Sequence, residues 1–346
     1  MRKIIVVFLI FLMGGNVLFT GCKNQFVKDS SFRRTGTSSE SSGTRRSFTL
    51  ACWNVQTFFD AVTEGPEYKD FKNSERWNKE KYLKRLDKLC EVMTTLNPDI
   101  FVMEEIENEG VVQDIANTLA GSSWDNKKNW QYACFAKEAG SAIGCAVFSR
   151  YEILSLKTHS LDIKTQGEAQ PSARPLMQLT IAAGDSEFEL FVNHWKSKSG
   201  GEEETEIWRD WQELVLSNTA KNYEAVIMCG DFNRSAEDFV TAHTSAEKFN
   251  TVLRGSDSVL NVYSPWVRSD GKLAGDTGSY FYSGEWERID NILVSGKVTL
   301  NSFTAVTDSP VADEEGIPAV YKIYTGEGCS DHLPLKCVVT IQELFQ

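Results

Sequence analysis

A short stretch in the second half of the chain places a carboxylate and an amide two residues apart at the end of an apolar run. The run at positions 226–229 precedes Gly230, and Asp231 and Asn233 follow it. Because side chains alternate along a strand, Asp231 and Asn233 project to the same side and can face one ligand. Read in isolation, Gly-Asp-x-Asn is as typical of a turn as of a site, so polar residues elsewhere must decide between them.

Similar polar groups stand where other predicted strands end. Carboxylate and amide oxygens are the ligands that hard divalent cations prefer, and histidine can donate to phosphate oxygens. Taken alone, the acidic stretch at 104–108 is also typical of a solvated loop, and a lone histidine is more often a structural donor. The groups in question are Asn54, Glu104, Glu105, Glu107, Asn108, Asn193, His194, Asp290, Asp331 and His332.

Alternating predicted strands and amphipathic helices would position these groups. Apolar runs predict strands at 48–55, 100–103, 142–149, 176–182, 187–193, 226–229 and 335–341, together with an aromatic hairpin that leads into a strand carrying Asp290. Periodic apolar residues predict helices over 74–96, 111–119 and 202–222, and 164–174 is predicted to be a polar loop. The inner side of the third helix is predicted to carry Trp208, Trp211, Leu214 and Val215.

Composition limits how the chain can meet its partners. It has 346 residues, 41% of them hydrophobic, and a formal net charge of −12. A protein this acidic does not hold a polyanion by bulk electrostatics, so a phosphate contact must be local or mediated by a cation. The eight cysteines form no Cys-x-x-Cys motif, which favours buried free thiols and leaves a disulfide pair open.

The amino terminus has the pattern of an export signal. Arg2 and Lys3 precede an apolar segment, and residues 19–22, Phe-Thr-Gly-Cys, resemble the cleavage box of bacterial lipoproteins. We therefore expect residues 1–21 to be removed and Cys22 to be lipidated, with a plain signal peptide or an uncleaved anchor as the alternative. Residues 22–47, rich in Ser, Thr, Gly and Arg, are predicted to be a flexible tether, and 48–346 a single domain. The predicted location is the bacterial cell envelope, lipid-anchored on the periplasmic or the outer surface.

The order of the polar motifs resembles the endonuclease/exonuclease/phosphatase superfamily of metal-dependent phosphoesterases. Six motifs follow one another in the family's order, each at a predicted strand end, and together they span the predicted domain. The resemblance implies an α/β fold in which a two-sheet β-sandwich is flanked by helices in four layers, α/β/β/α. The motifs are Trp53-Asn54, Glu105 with Glu107-Asn108, Asn193-His194 with Lys196-Ser197, Gly230-Asp231-Phe232-Asn233, Ile289-Asp290 and Ser330-Asp331-His332.

The resemblance also implies a divalent cation, Mg²⁺ or Mn²⁺. Asn54 and Glu105 correspond to the family's amide and glutamate ligands, and Asp331 to the remaining acid near the metal. Glu104 stands where many members have glutamine, and the following Ile-Glu-Asn identifies Glu105 as the ligand.

The other motif residues correspond to groups that act on phosphate. Asp231 matches the residue that orients or deprotonates the attacking water, and Asn233 the amide that holds a phosphate oxygen. His332 resembles the histidine that stabilises the pentavalent phosphorus, with Asp290 as the carboxylate that fixes its tautomer. His194 corresponds to the histidine or tyrosine that contacts the scissile phosphate. This set implies hydrolysis by direct attack of water.

Substrate identity is less constrained by these motifs. The stretch 193–198 resembles exported bacterial nucleases of the family, which favours DNA or RNA, and Lys196, Arg174 and Arg288 could supply the local positive contacts. The alternatives are a sphingomyelinase or inositol-phosphate-type phosphoesterase, and a surface lipoprotein that binds without catalysis. We expect the protein to act as a monomer.

Overall fold

The polar strand ends lie on two β-sheets that pack face to face. The computed structural model describes residues 8–13, 16–21, 46–63, 65–121, 130–161, 173–184, 186–241, 249–268 and 270–342. Among these residues one sheet has eight strands and the other has five, beside two small sheets of three and two strands.

Three helices and eighteen strands are present in the described residues. In chain order they are β1 (Phe8–Met13), β2 (Asn16–Gly21), β3 (Arg46–Phe58), α1 (Lys79–Leu96), β4 (Ile100–Ile106), α2 (Glu109–Gly121), β5 (Tyr132–Ala136), β6 (Gly144–Ser149), β7 (Ile153–His159), β8 (Leu176–Ala183), β9 (Ser186–His194), α3 (Glu202–Ala220), β10 (Ala225–Asp231), β11 (Val240–Thr241), β12 (Thr251–Leu253), β13 (Leu260–Val262), β14 (Tyr280–Tyr282), β15 (Glu285–Glu287), β16 (Asp290–Gly296), β17 (Val298–Ala305) and β18 (Leu335–Ile341).

The buried apolar side chains form three layers of core, which confirms the predicted α/β/β/α sandwich. The first sheet has the order β17-β18-β3-β4-β6-β5-β1-β2, and the second has the order β16-β10-β9-β8-β7. One core fills the space between the two sheets, a second packs the first sheet against α1 and α2, and a third packs the second sheet against α3. Alternation along β3 shows the arrangement, since Cys52 faces the other sheet while Trp53 faces α1.

Each sheet contains a parallel strand pair joined by a helix. β3 pairs in parallel with β4 across α1, and β9 pairs in parallel with β10 across α3. Each of these pairs also has an antiparallel neighbour, β18 beside β3 and β16 beside β10, whose amino-terminal end lies at the carboxyl end of the pair. The residues that leave β3, β4, β9 and β10 and those that enter β16 and β18 therefore meet at one edge, where open α/β sheets bind their ligands.

Gly230 allows β9 and β10 to approach closely at this edge. Its φ is +132°, and a Cβ built there would lie 1.9 Å from the backbone oxygen of Asn193. Only glycine fits such a contact, because any side chain would collide with backbone. The glycine of the Gly-Asp-x-Asn stretch thus sets the spacing of the strands that carry His194 and Asp231.

The amino-terminal segment forms a β-hairpin in this structure. β1 and β2 pair in antiparallel register, and β1 extends the first sheet by pairing with β5. Cys22 and the tether residues up to 45 lie outside the described residues, so cleavage and lipidation stay predictions. In the part of the chain that is described, no helix has the length and apolar content needed to cross a membrane.

Some predicted elements differ from the observed ones. α1 begins at Lys79 and not near 74, because the side chain of Asn78 accepts from the Lys81 amide and caps the helix there. On α3, Trp208 is buried but Trp211 is 38% exposed, so the predicted inner face was wrong in part. That face carries Arg209, Gln212 and Glu213 instead, all buried, because α3 packs through ion pairs as well as apolar contacts.

The predicted thiol state agrees with the structure. The seven cysteines in the described residues are all buried and free, and most lie on strands that face a core. The predicted polar loop falls largely on 162–172, which lie outside the described residues.

Candidate active site

Asn54 and Glu105 come together where β3 and β4 bend apart. Both strand pairings of β4 shift register around Glu105, whose φ of +68° turns its side chain back toward β3. Such a bulge re-aims a side chain at the cost of roughly 1–3 kcal/mol of backbone strain. Asn54 Nδ2 then lies 3.2 Å from Glu105 Oε1 and 3.1 Å from Asp231 Oδ2.

Backbone amides near the end of β3 hold these two side chains. The amide of Gln56 donates to Asn54 Oδ1 at 3.0 Å, and that of Thr57 donates to Glu105 Oε2 at 2.6 Å. Both donors lie in the left-handed region, with φ of +53° for Gln56 and +45° for Thr57. A β-branched residue such as Thr57 rarely adopts this conformation, so the segment is held against its preference.

Asp231 lies at the centre of the site. Its neighbours across the sheet are His194 on β9 and Asp290 on β16. Asp231 Oδ1 accepts from the Asn233 amide at 2.8 Å, an arrangement that a φ of +47° at Asn233 permits. Burial and then the charge of Asp290 raise the pKa of Asp231 to about 7. The carboxylate is therefore poised to exchange a proton near neutral pH.

His332 and Asp290 form a buried pair, as predicted. His332 Nδ1 is 2.7 Å from Asp290 Oδ2, and the Ser330 hydroxyl accepts from the His332 amide at 3.1 Å. Burial alone would lower the pKa of His332, but the charge and hydrogen bond of Asp290, then Asp331 and Asp231, raise it well above its usual value. The ring is an imidazolium at neutral pH, with Nε2 3.9 Å from Asp331 Oδ1.

His194 is neutral and is joined to Arg174. An Nη2 donor of Arg174 lies 2.5 Å from His194 Nε2, which makes that ring nitrogen the acceptor. Burial, then the charges of Arg174 and His332, lowers the pKa of His194 well below its usual value. His194 Nε2 also lies 3.7 Å from Glu105 Oε1 and 3.8 Å from Asp231 Oδ2, so Arg174 reaches the edge of the carboxylate cluster.

The surroundings of Glu104 differ from those of its neighbour Glu105. It is 0% exposed, and its Oε1 accepts from the Cys52 thiol at 3.2 Å. Its Oε2 has no partner among the described residues. Burial, followed by the charge of Asp290, raises the pKa of Glu104 well above its usual value, which favours the neutral acid.

Arg288 and Lys196, two of the basic residues predicted to bind substrate, contact other groups of the protein. Arg288 Nη1 donates to Glu237 Oε1 at 3.1 Å, and Nη2 donates to the Gly275 carbonyl at 2.9 Å. Lys196 Nζ donates to the backbone oxygens of Ser197 and Ser199. Of the three basic residues predicted to bind substrate, only Arg174 is brought against the site.

The donor set suits a divalent cation. Two groupings of ligand atoms are present. The first is Asn54 with Glu105. The second is Asp231 with Asp290 and His332, and the ligand atoms of this second grouping lie within 4.8 Å of one another. The imidazolium of His332 has no free lone pair to offer a metal, which favours the oxygen ligands of the first grouping. The site has more carboxylates than cationic groups, and the pKa of one carboxylate, Asp231, is raised. A bound cation would offset this negative charge.

Sequence reasoning missed two sets of residues beside the site. Arg85 interrupts the apolar stripe of α1, and a charged residue on the buried face of a helix was the available signal. Tyr280 lies with its ring centroid 4.8 Å from that of His332, and Tyr282 stacks on Tyr280 with an angle of 12° between the rings. The aromatic hairpin was recognised from the sequence, but its place against His332 depends on long-range pairing.

The sequence comparison decides the family. The family model described as "Endonuclease/Exonuclease/phosphatase family" matches residues 49–317. The chain belongs to this family. Its members are metal-dependent phosphoesterases and nucleases. A comparison with curated proteins gave no match.

Solved structures of family members share the fold. An endonuclease/exonuclease/phosphatase family protein from Bacteroides thetaiotaomicron is 16% identical with a TM-score of 0.54, covering 87% of this chain and 100% of its own. TDP2 from D. rerio complexed with single strand DNA product is 16% identical with a TM-score of 0.52, covering 85% and 98%. The human Nocturnin catalytic domain with bound sulfate anion is 17% identical with a TM-score of 0.51, covering 87% and 97%.

The buried acids should make the cation-free protein less stable as the pH rises. The pKa of Asp231 is raised from 3.8 to about 7 and that of Glu107 from 4.5 to about 8, both chiefly by burial. A raised pKa stabilises the fold below the unfolded value, and this contribution is lost as the pH rises through the folded value. The lowered pKa of His194 acts in the opposite direction, but only below its usual value. We therefore expect the free energy of unfolding, measured by urea denaturation in EDTA, to fall between pH 4 and 8.

The variant Asp231→Asn isolates one contribution to this slope. It should reduce the fall in the free energy of unfolding over the window by on the order of 4 kcal/mol, since the pKa is raised from 3.8 to about 7 and each unit corresponds to about 1.4 kcal/mol. A slope equal to that of the wild type would contradict the assignment of the raised pKa to Asp231.

Proposed function

We propose that the protein is a divalent-cation-dependent phosphodiesterase that hydrolyses nucleic acid by direct attack of water. Family membership and the meeting of Asp231, the Asp290–His332 pair and the Asn54–Glu105 pair at one sheet edge support the phosphodiesterase chemistry. The observation that carries the choice of substrate is the stack of aromatic rings beside His332.

Asp231 is the base in this proposal. A general base works best when its pKa lies near the working pH, and the pKa of Asp231 is raised to about 7. Its Oδ1 is fixed by the Asn233 amide, and its Oδ2 is 3.1 Å from Asn54 Nδ2. The carboxylate therefore has one orientation in which it accepts a proton from water.

His332 and Arg174 supply positive charge where the phosphate becomes more negative. Asp290 keeps His332 protonated and oriented, so that Nε2 can donate to a phosphate oxygen. Arg174, whose Nη2 contacts His194 Nε2, would place the charge of its guanidinium beside a second oxygen. Asn233 Nδ2 donates to the Trp195 carbonyl at 3.2 Å, and its second amide hydrogen would donate to a phosphate oxygen. His194 Nε2 accepts from Arg174, so His194 acts in this arrangement by orienting the guanidinium.

A divalent cation, Mg²⁺ or Mn²⁺, would be held by Asn54, Glu105 and Asp331. When bound, it would neutralise charge on the phosphate and on the leaving oxygen. Glu105 and Asp331 would supply carboxylate oxygens, which such a cation prefers, and Asn54 Oδ1 would use the lone pair that the Gln56 amide leaves free. The surrounding acids favour a positive ion.

The aromatic rings next to His332 favour a substrate with bases. Tyr282 is 64% exposed and nearly parallel to Tyr280, which itself lies against His332. An exposed ring in this position offers a face on which a nucleobase can stack while the adjoining phosphate reaches His332. The net charge of −12 gives no general attraction for a polyanion, so such local contacts matter more. The single strand DNA product in the D. rerio TDP2 structure also supports a nucleic-acid substrate.

Hydrolysis should require a divalent cation held by Glu105. Chelation with EDTA should abolish phosphodiester hydrolysis, and added Mg²⁺ or Mn²⁺ should restore it. Glu105→Gln should raise the cation concentration for half-maximal rate by about 10- to 100-fold, as expected when the environment of a metal ligand is damaged. Glu104→Gln is the matched control and should change it by less than about twofold, because the buried Glu104 carboxyl accepts from the Cys52 thiol, whereas that of Glu105 accepts from Asn54 Nδ2. Equal effects would show that the glutamates are assigned in the wrong order.

The substrate should be identified by a screen and by one aromatic variant. In Mg²⁺, the full-length protein should cleave DNA or RNA oligonucleotides in preference to sphingomyelin and inositol polyphosphates. Tyr282→Ala should raise KM for a single-stranded oligonucleotide by about 5- to 100-fold, since stacking one base contributes about 1–3 kcal/mol. The same variant should leave KM unchanged for an oligonucleotide with abasic positions next to the cleaved bond.

Tyr324→Ala provides the control for this experiment. Tyr324 is 63% exposed, like Tyr282, but its ring lies against Arg76 and not beside His332. Cleavage of sphingomyelin or an inositol phosphate with nucleic acid left intact would replace the proposed substrate. If no phosphoester is cleaved with any divalent cation, the result would favour the alternative of a surface protein that keeps the fold and binds without catalysis.

We also propose that the protein is exported and anchored by a lipid at Cys22, in line with the amino-terminal pattern of residues 2–22. Mass spectrometry of the mature protein should find an acylated Cys22 as the first residue, and Cys22→Ser should release the protein from the membrane fraction. An unmodified mature chain that begins at another residue would contradict the anchor.

A further inference from the structure

Arg85 lies behind the site and binds three consecutive backbone carbonyls. Its Nη2 donates to the carbonyls of Val55 and Gln56 at 2.8 and 2.5 Å, and its Nη1 donates to that of Thr57 at 3.1 Å. The residue is 4% exposed, and its guanidinium has no carboxylate within ion-pair distance among the described residues. Burial lowers the pKa of Arg85 only to about 10, so the charge is retained at neutral pH.

The same backbone segment holds the two proposed cation ligands on its other side. While the carbonyls of 55–57 point to Arg85, the amide of Gln56 binds Asn54 Oδ1 and the amide of Thr57 binds Glu105 Oε2. Gln56 and Thr57 both have positive φ, a conformation that side chains disfavour, so an external partner must hold the segment. Arg85 is the charged group that does so.

We propose that Arg85 is a positioning residue, which acts through the backbone of 55–57 to orient Asn54 and Glu105 for the divalent cation. The inference rests on the proposed cation-dependent function and extends it to a residue of α1 that does not touch the site. It explains why a charged residue is placed on the apolar face of that helix, between Tyr82 and Leu89.

A guanidinium fits this role better than an ammonium. Its planar fork spans three carbonyls, and its face lies between aromatic rings, with Cζ 3.7 Å from the Tyr321 ring centroid and 4.8 Å from that of Phe58. Tyr321 also fixes the segment directly, because its backbone amide donates to Gln56 Oε1 at 2.8 Å. Lysine in place of Arg85 would keep the charge but lose the fork and the stacking.

The test measures cation affinity as well as catalysis in the full-length protein. By isothermal titration calorimetry with Mg²⁺ alone, Arg85→Met should weaken binding by about 10- to 100-fold, the range seen when a partner of a metal ligand is removed. Arg85→Lys should fall between Arg85→Met and the wild type. Since Arg85 acts in part through Glu105, adding Arg85→Met to Glu105→Gln should weaken binding by a smaller factor than Arg85→Met does in the wild type.

Lys81→Met is the matched control. Lys81 lies one turn earlier on α1, and its Nζ also donates to three backbone carbonyls, those of Arg76, Ile323 and Tyr324. It should leave Mg²⁺ affinity within about twofold of the wild type, because the segment it holds touches neither proposed ligand.

Three results would overturn the inference. They are wild-type Mg²⁺ affinity in Arg85→Met, an equal loss in Lys81→Met, and full additivity with Glu105→Gln. If Arg85→Met does not fold, Arg85→Lys decides, and wild-type affinity in that variant counts against the fork. If the wild type itself binds no divalent cation, the proposed function fails first, and this result is distinct from an Arg85 variant that binds normally.

Discussion

Burial of several carboxylates between two sheets, and then their mutual repulsion, sets the proton affinities of this site. Asp231 and Asp290 are directly opposed across β10 and β16, with Glu104 beneath them and almost no water to screen their charges. Each acid is accommodated differently. Asp290 pairs with His332, burial favours the neutral form of Glu104, and the pKa of Asp231 is raised to about 7. The proton affinities of the site thus follow from the burial and mutual repulsion of these acids, which the surroundings of each acid relieve in a different way.

The topology brings these acids together, because the strands of two strand–helix–strand units have their carboxyl ends at the same edge. β3 and β4 supply Asn54 and Glu105, while β9 and β10 supply His194 and Asp231. Backbone distortion then aims the groups, through the bulge at Glu105 and the left-handed turn at Asn233. These conformations are costly, and they persist because neighbouring residues hold them in place. The site is therefore a property of both sheets, and neither sheet could build it alone.

Much of this arrangement could be predicted from the sequence, and the limits have physical causes. Strand ends with polar residues, the sandwich, and the His332–Asp290 pair follow from local pattern and family resemblance. The motif predicted Glu105 and not Glu104 as the cation ligand, which stays a prediction, and in the structure Asn54 Nδ2 lies 3.2 Å from Glu105 Oε1. Arg85, Tyr280 and the Arg174–His194 contact were missed as site partners because each joins segments far apart in the chain. β11, β12 and β13 escaped notice because strands of two or three residues carry almost no periodic signal.

The polar inner face of α3 limits how that helix can move. Arg234 directly follows Asn233, and its guanidinium binds Glu206, Asp210 and Glu213, which lie on successive turns of the helix. A helix packed only by apolar side chains can slide by part of a turn at small cost. A helix whose three carboxylates bind one planar guanidinium has a single position along its axis. Sliding of α3 along the sheet would therefore pull on the residue beside Asn233. The position of α3 along its axis therefore determines how far the end of β10 extends into the site.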